Sequence, residues 1–347
     1  MPPSTVNGTI PSKSADQATT VDLTICTSVM PADLSFVHLN WQLISQLNDV
    51  EGWKWLVIDN SEEPERLHLK SWDDRVEVMD GVETNRTLPE WCQGSYHHAG
   101  AFNKALHSIE SRFALFLDPD FYIVRPHWIA DLTSYMQSKG LAILGVPWHP
   151  KWYKKYRYFP CAHALLVDLS QISTDMIDFT PALRDAEAVM YGSERNYSHF
   201  WNIPPMPSRR QRRTVATSND TGYPLYRTYA TDRDIRWESM KPVYRPGEDF
   251  NGPKYAVTSY GRALEKLFPE KYSFLPKRSE TYSAIGFREL GHADVTHLGW
   301  EEFLWQDEPF GFHMRRFRND GLEESEATRI ITEVLSGFCE SCSFELS

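Results

Sequence analysis

The chain has 347 residues, 41% apolar and 24% charged, which is the balance of a folded globular protein with one large core or two smaller ones. Its formal charge of −11 opposes attraction to phosphate backbones over most of the surface, so nucleic acid is not an expected partner. The longest apolar run, Leu141 to Trp148, falls far short of the roughly 20 residues that span a bilayer. Five cysteines, an odd number spread thinly over the chain, do not make a secreted disulfide framework and predict a reducing, cytoplasmic setting.

Residues 1–20 are rich in Pro, Ser, Thr and Gly and lack the basic start and apolar centre of a secretory signal, so they read as a flexible leader. From Val21, the alternation of Val21, Leu23 and Ile25 with polar neighbours predicts a strand. Asp33 is placed to cap a helix carrying Leu34, Val37, Trp41, Ile44 and Leu47 at spacings of three and four. Strands are expected at Trp53 to Ile58, Arg75 to Met79 and Phe113 to Leu117, with a helix from Ser95 to Glu110 whose stripe is Ala99, Phe102, Ala105, Leu106 and Ile109. Strands alternating with helices build right-handed βαβ units, so the expected fold is α/β with a mostly parallel central sheet and helices on both faces. Beyond Asp120 the order loosens. Strands are expected at Leu141 to Val146 and Ala164 to Leu169, loops over a site around them, and a closing helix at Glu323 to Leu335.

The sharpest local feature is the apolar strand Phe113-Ala-Leu-Phe-Leu followed by Asp118-Pro-Asp120. In an open parallel sheet, ligands bind outside the carboxyl ends of the strands, which is where both carboxylates fall. Two close carboxylates repel unless a cation joins them, and Mg²⁺ or Mn²⁺ suits oxygen ligands shared with a diphosphate. Asp-Pro-Asp is equally good turn chemistry, and these residues alone do not separate the two readings.

The order Leu23-Thr-Ile-Cys-Thr27, Leu56-Val-Ile-Asp59-Asn60-Ser61, Ala101-Phe-Asn103-Lys-Ala-Leu106 and Leu117-Asp118-Pro-Asp120 resembles the nucleotide-sugar half of the family-2 inverting glycosyltransferases, which have the Rossmann-like GT-A fold. The resemblance covers roughly Val21 to Tyr122. It implies that Thr27, Asp59, Asn60, Asn103 and Asp118 contact a nucleotide sugar and that Asp118 and Asp120 hold the metal. Two positions depart from the family pattern: Cys26 stands where the family usually has Pro, and Ser95 where it usually has Asn. The resemblance further implies a base on the acceptor side, for which Asp220 in Ser218-Asn-Asp220-Thr-Gly222 is the candidate and Asp249 the runner-up. It also implies a third metal ligand, His297 in Val295-Thr-His297-Leu-Gly299, with His313 as the other candidate. An Asp in a turn and a lone hydrogen-bonded His are the plainer readings of these positions.

Two basic clusters interrupt the acidic chain, Lys151 to Arg157 and Arg209 to Arg213. Solvated faces account for most such runs, but these could hold a diphosphate or an anionic, lipid-linked acceptor, the latter bringing the protein to the inner face of a membrane as a peripheral one. Trp148, Trp152 and Tyr153 offer flat faces to a sugar, or fill the core. Cys339-Glu-Ser-Cys342 lacks the second pair a four-cysteine zinc site needs.

The expected organisation is therefore a leader at 1–20, a nucleotide-sugar-binding half at 21–122, an acceptor-binding half of the same domain at 123–320, and a helix and tail at 321–347. The expected activity is metal-dependent transfer from a nucleoside-diphosphate sugar to a glycan, lipid-linked or small-molecule hydroxyl. The competing readings are a catalytically silent nucleotide-sugar-binding module and a metal-dependent phosphotransferase or phosphatase. A nicotinamide dehydrogenase is disfavoured because no Gly-x-Gly-x-x-Gly follows the first strand.

Overall fold

The protein is described as a computed structural model for residues 20–64, 66–88, 90–149, 159–181, 220–230, 232–245, 282–314 and 324–338. Eleven strands form two sheets among these residues. The central sheet contains β1 (Thr20–Val29), β2 (Glu51–Asp59), β3 (Val76–Asp80), β4 (Phe113–Leu117), β6 (Ile143–Pro147), β7 (Pro160–Asp168) and β8 (Trp237–Ser239), in the order β3-β2-β1-β4-β7-β6-β8. All neighbours are parallel except β7, which runs antiparallel to both β4 and β6. The chain is thus α/β with a mostly parallel sheet. All five residues of β4 are buried, which is why it reads as an unbroken apolar run with no alternation.

The second sheet is antiparallel, β5 (Phe121–Ile123), β11 (Glu308–His313), β10 (Glu301–Trp305) and β9 (Lys241–Pro242), in that order. Only β5 belongs to the half with the legible pattern. The other three fall where loops were expected: β10 and β11 form a tight hairpin, but the strands that flank it, β5 and β9, lie far away in sequence.

Helices α1 (Leu34–Leu47), α2 (Glu90–Ala105), α3 (Trp128–Lys139), α4 (Tyr223–Tyr229) and α5 (Glu324–Ser336) complete the framework. Helix α1 is buried on two sides: Val37 and Ile44 join the core of the central sheet, while Phe36, Leu39, Leu43 and Leu47 pack with Tyr122, Phe312 and Ile331 in a second, smaller core. This double burial joins the two sheets through one helix. Asp33 does not cap α1 by its side chain; its carboxylate accepts the Met30 N–H at 2.9 Å. Helix α2 begins before the expected Ser95 and ends before Glu110. Helix α3 was not legible as a helix, but its stop follows from Gly140, which takes the left-handed φ of 60° that costs glycine little. Gly140 N–H then bonds Gln137 O at 3.2 Å, and Leu141 N–H bonds Met136 O at 2.9 Å.

No helix among the described residues is long and apolar enough to cross a membrane. Asp249, Trp152, Tyr153, both basic clusters, Cys339 and Cys342 lie outside the described residues.

Candidate functional site

A cavity of about 500 Å³ opens beyond the carboxyl ends of the parallel strands, where an α/β sheet ordinarily binds its ligands. Ser28, Asn60 and Asp118 reach it from the strand ends, Ser95 and His98 from α2, Trp148 and His163 from the β6 and β7 side, Asp220 and Thr221 from the segment before α4, and His313 from β11.

The Asp118-Pro-Asp120 turn is clamped from three directions. Phe121 N–H bonds Asp118 O at 3.1 Å, and Asp118 N–H bonds His163 O at 3.0 Å. The buried Asn40 of α1 donates its side-chain amide to Pro119 O at 3.0 Å and Phe121 O at 3.1 Å. Turn chemistry and site chemistry therefore coexist, with the tertiary contacts aiming both carboxylates at the cavity.

Three imidazoles surround Asp118. Its Oδ2 lies 2.5 Å from His163 Nδ1 and 3.8 Å from His313 Nε2, and its Oδ1 lies 3.4 Å from His98 Nε2. Burial alone would raise the Asp118 carboxyl, but the positive charge available on His163, His98 and His313 holds it well below the usual carboxylate range. His313 Nε2 also stands 3.2 Å from Asp120 Oδ1. On its other side, His313 Nδ1 lies 3.4 Å from Oε2 of Glu301, the residue directly opposite it in the β10–β11 ladder. Gly311 makes this placement possible: a Cβ there would stand 2.5 Å from Tyr122 O and 2.8 Å from the Phe121 ring, so a side chain would push β11 away from β5 and His313 away from Asp120.

The donor set fits a divalent ion. One ligand atom each from Asp118, His163 and His313 lie within 4.8 Å of one another, and all three residues are buried. Asp118 Oδ1 is buried and makes no hydrogen bond, with His98 Nε2 at ion-pair distance. His297, expected as the third ligand, sits on an exposed turn beside Asp294 and does not line the cavity; His313, the other candidate, does.

The residues expected to contact a nucleotide divide in two. Asn60 lines the cavity, fixed by its bonds to His97 O and from Val82 N–H at 3.2 and 2.9 Å. Thr27 is buried and accepts the indole N–H of Trp55 at 2.9 Å, while its neighbour Ser28 reaches the cavity. Asp59 is buried and takes the Ser61 N–H at 3.2 Å, the Ser61 hydroxyl, and the Leu69 N–H at 3.4 Å. Asn103 fastens α2 to the 178–180 segment, bonding Asp178, Thr180 and the Phe179 N–H. Thr27, Asp59 and Asn103 thus do not line the cavity; each is held by bonds to its own neighbours.

Asp220 does line it, and its Oδ1 accepts the Thr221 N–H at 2.9 Å. Thr221 Oγ1 in turn bonds Ser95 O at 3.2 Å, so the position where Ser95 departs from the family pattern ties α2 to the Asp220 segment. At the other departure, Cys26 is wholly buried in β1, which pushes its thiol pKa up. Trp148 meets the His163 ring edge-on at 4.4 Å between centroids.

His98, His163, Glu301 and Asn40 were not singled out in the sequence. His163 carried a signal: it is the one residue with a charged or strongly polar side chain between Phe159 and Val167, and such a residue in a buried strand needs a partner. Glu301 and Glu302, inside Trp300-Glu-Glu-Phe-Leu-Trp305, carried the same one.

No protein-family model matches the sequence, and no curated protein matches it. Solved structures match parts of it. The S. aureus TarS structure in complex with UDP-GlcNAc is 15% identical over 46% of this chain and 48% of its own, with a TM-score of 0.31. The mannosyltransferase PcManGT from Pyrobaculum calidifontis, in complex with GDP-Man and Mn²⁺, is 11% identical over 59% of this chain and 71% of its own, with a TM-score of 0.32. Mouse xyloside xylosyltransferase 1 is 12% identical over 64% and 86%, with a TM-score of 0.33. The chain spans about half the length of the TarS structure it matches, and likenesses this partial carry no argument about its site.

Proposed function

We propose that the protein transfers a glycosyl group from a nucleoside-diphosphate sugar to an acceptor hydroxyl, with inversion. The observation that supports this most is convergence: the Asp118–Asp120 pair, Asp220 and His313, from three distant stretches of sequence, line one cavity at the carboxyl ends of the parallel strands. In this reading residues 21–122 shape the donor side and 123–320 the acceptor side, with Ser28 and Asn60 toward the nucleotide. Trp148 offers its face to a sugar ring. A divalent cation held at Asp118, with Asp120 and His313 beside it, would neutralise the diphosphate as it leaves. Asp220 accepts the proton of the acceptor hydroxyl as that oxygen bonds to the anomeric carbon and the bond from that carbon to the diphosphate oxygen breaks. The proton ends on Asp220 and the nucleoside diphosphate departs.

A thermal-shift screen of nucleotide sugars with and without Mn²⁺ tests the donor, since a ligand that binds only the folded state raises Tm. The expected result is a metal-dependent rise with one or a few nucleoside-diphosphate sugars. Asp220→Asn should then keep donor binding and lose about 10²- to 10⁴-fold in turnover, the usual contribution of a positioned base. No rise with any nucleotide sugar would overturn the reading, and normal turnover by Asp220→Asn would move the base elsewhere.

A further inference from the structure

The metal ligands that the geometry assembles are not the pair of carboxylates that the Asp-x-Asp pattern suggests. We infer that the cavity holds its ion through Asp118, His163 and His313, two imidazoles and one carboxylate, and so takes an imidazole-binding transition ion such as Zn²⁺ or Co²⁺ far better than Mg²⁺. The inference deepens the reading above and rests on the cavity being the working site.

Three observations carry it. Donors bound to one ion at about 2.0–2.2 Å stand roughly 3.0–3.6 Å apart, and Asp118 Oδ2 lies 2.5 Å from His163 Nδ1 and 3.8 Å from His313 Nε2. The two separations bracket that range, and one ligand atom from each of the three residues falls within 4.8 Å of the others. The two imidazoles come from different sheets, His163 from β7 and His313 from β11, and their ring centroids are 4.3 Å apart. Both rings turn a nitrogen toward the same carboxylate oxygen, Asp118 Oδ2, as donors that share one ion do. Finally, Glu301 stands behind His313 at 3.4 Å from Nδ1, 1% exposed. This is the carboxylate–histidine arrangement that fixes the tautomer and leaves Nε2 free of a proton to bind metal.

The chemistry of the donors decides the ion. Mg²⁺ prefers oxygen ligands in near-octahedral array and keeps its water, whereas imidazole nitrogen suits zinc, cobalt and iron, with affinity rising from Mn²⁺ through Co²⁺. Asp120, 3.2 Å from His313 Nε2, remains for a fourth position or for the ligand that the ion binds.

The test uses the whole chain, stripped of metal by chelator and titrated with Co²⁺. The expected result is one equivalent bound, with a visible absorption band that Zn²⁺ removes and a large excess of Mg²⁺ does not. His163→Asn and His313→Gln should each lose the band while keeping the far-ultraviolet circular dichroism of the parent. Glu301→Gln should keep the band and weaken Co²⁺ binding by about 10- to 100-fold, the usual effect of losing such a supporting carboxylate. X-ray absorption of the zinc-loaded parent should show two imidazoles on the metal, a readout that survives should either histidine variant fail to fold. Displacement of Co²⁺ by comparable Mg²⁺, a band unchanged in folded His163→Asn, or a metal without imidazole neighbours overturns the inference. Calorimetry with a nucleoside diphosphate separates the two proposals. Binding with Mg²⁺ but no imidazole-bound ion leaves the transferase reading standing alone; an imidazole-bound ion with no nucleotide binding leaves only the metal site.

Discussion

Asp59 and Asp118 occupy matching places in one sheet, each buried at or just past the carboxyl end of a parallel strand, yet their surroundings differ in kind. Both oxygens of Asp59 are engaged by Ser61 and by the Leu69 N–H. Asp168, at the end of β7, is held in the same way by Arg112, Ser170 and Gln171. Asp118 instead keeps one buried oxygen without a hydrogen bond and is ringed by imidazoles. Burial and strand-end position thus do not separate the three carboxylates, whereas saturation of their oxygens does. The adjacent pair Glu301 and Glu302 repeats the contrast inside one strand. Glu301 faces His313, while Glu302 turns the other way and accepts the Phe287 and Val295 N–H groups at 2.9 and 3.3 Å.

The largest effect on stability is expected at Glu302, where burial raises the carboxyl pKa from 4.5 to about 7 against the opposing pull of those two amides. The fold therefore favours the protonated form, and its contribution is full below the ordinary value of 4.5 and is lost as pH rises through about 7. The parent should lose on the order of 3 kcal/mol relative to Glu302→Gln between about pH 4.5 and 8, as urea unfolding across that range would show. A flat difference would mean that the two amides hold the charged form of Glu302 as well as the neutral one.

Asp59→Ala leaves two backbone N–H groups and a hydroxyl without their acceptor, and should cost about 2 kcal/mol. Faster amide exchange at Ser61 and Leu69 would localise the loss to that loop. Should stability hold while nucleotide binding falls, Asp59 contacts the ligand directly and the contrast with Asp118 disappears.

The smallest change is expected for Asp118→Asn, which keeps the size of the side chain and leaves its buried Oδ1 no worse bonded than before: a shift of about 1 kcal/mol in urea unfolding. Metal binding should nevertheless be lost. A large destabilisation by the same variant would place Asp118 with the structural carboxylates.

The sequence by itself determined the α/β class, because β1, β2, β3 and β4 and the helices between them carry local patterns of period two and near four that need no distant partner to be read. It also placed two carboxylates past the end of a buried strand, since the apolar run Phe113–Leu117 stops at Asp118-Pro-Asp120. Tertiary structure alone decided which groups meet them. His163 and His313 arrive on β7 and β11, which pair with β4 and β5 across long stretches of chain. His297, the better match by local pattern, lies on an exposed turn. The physical reason is that a ligand set is defined by distances within a few ångströms, and those distances are set by strand pairing and by the close approach that Gly311 permits, neither of which has a period along the chain.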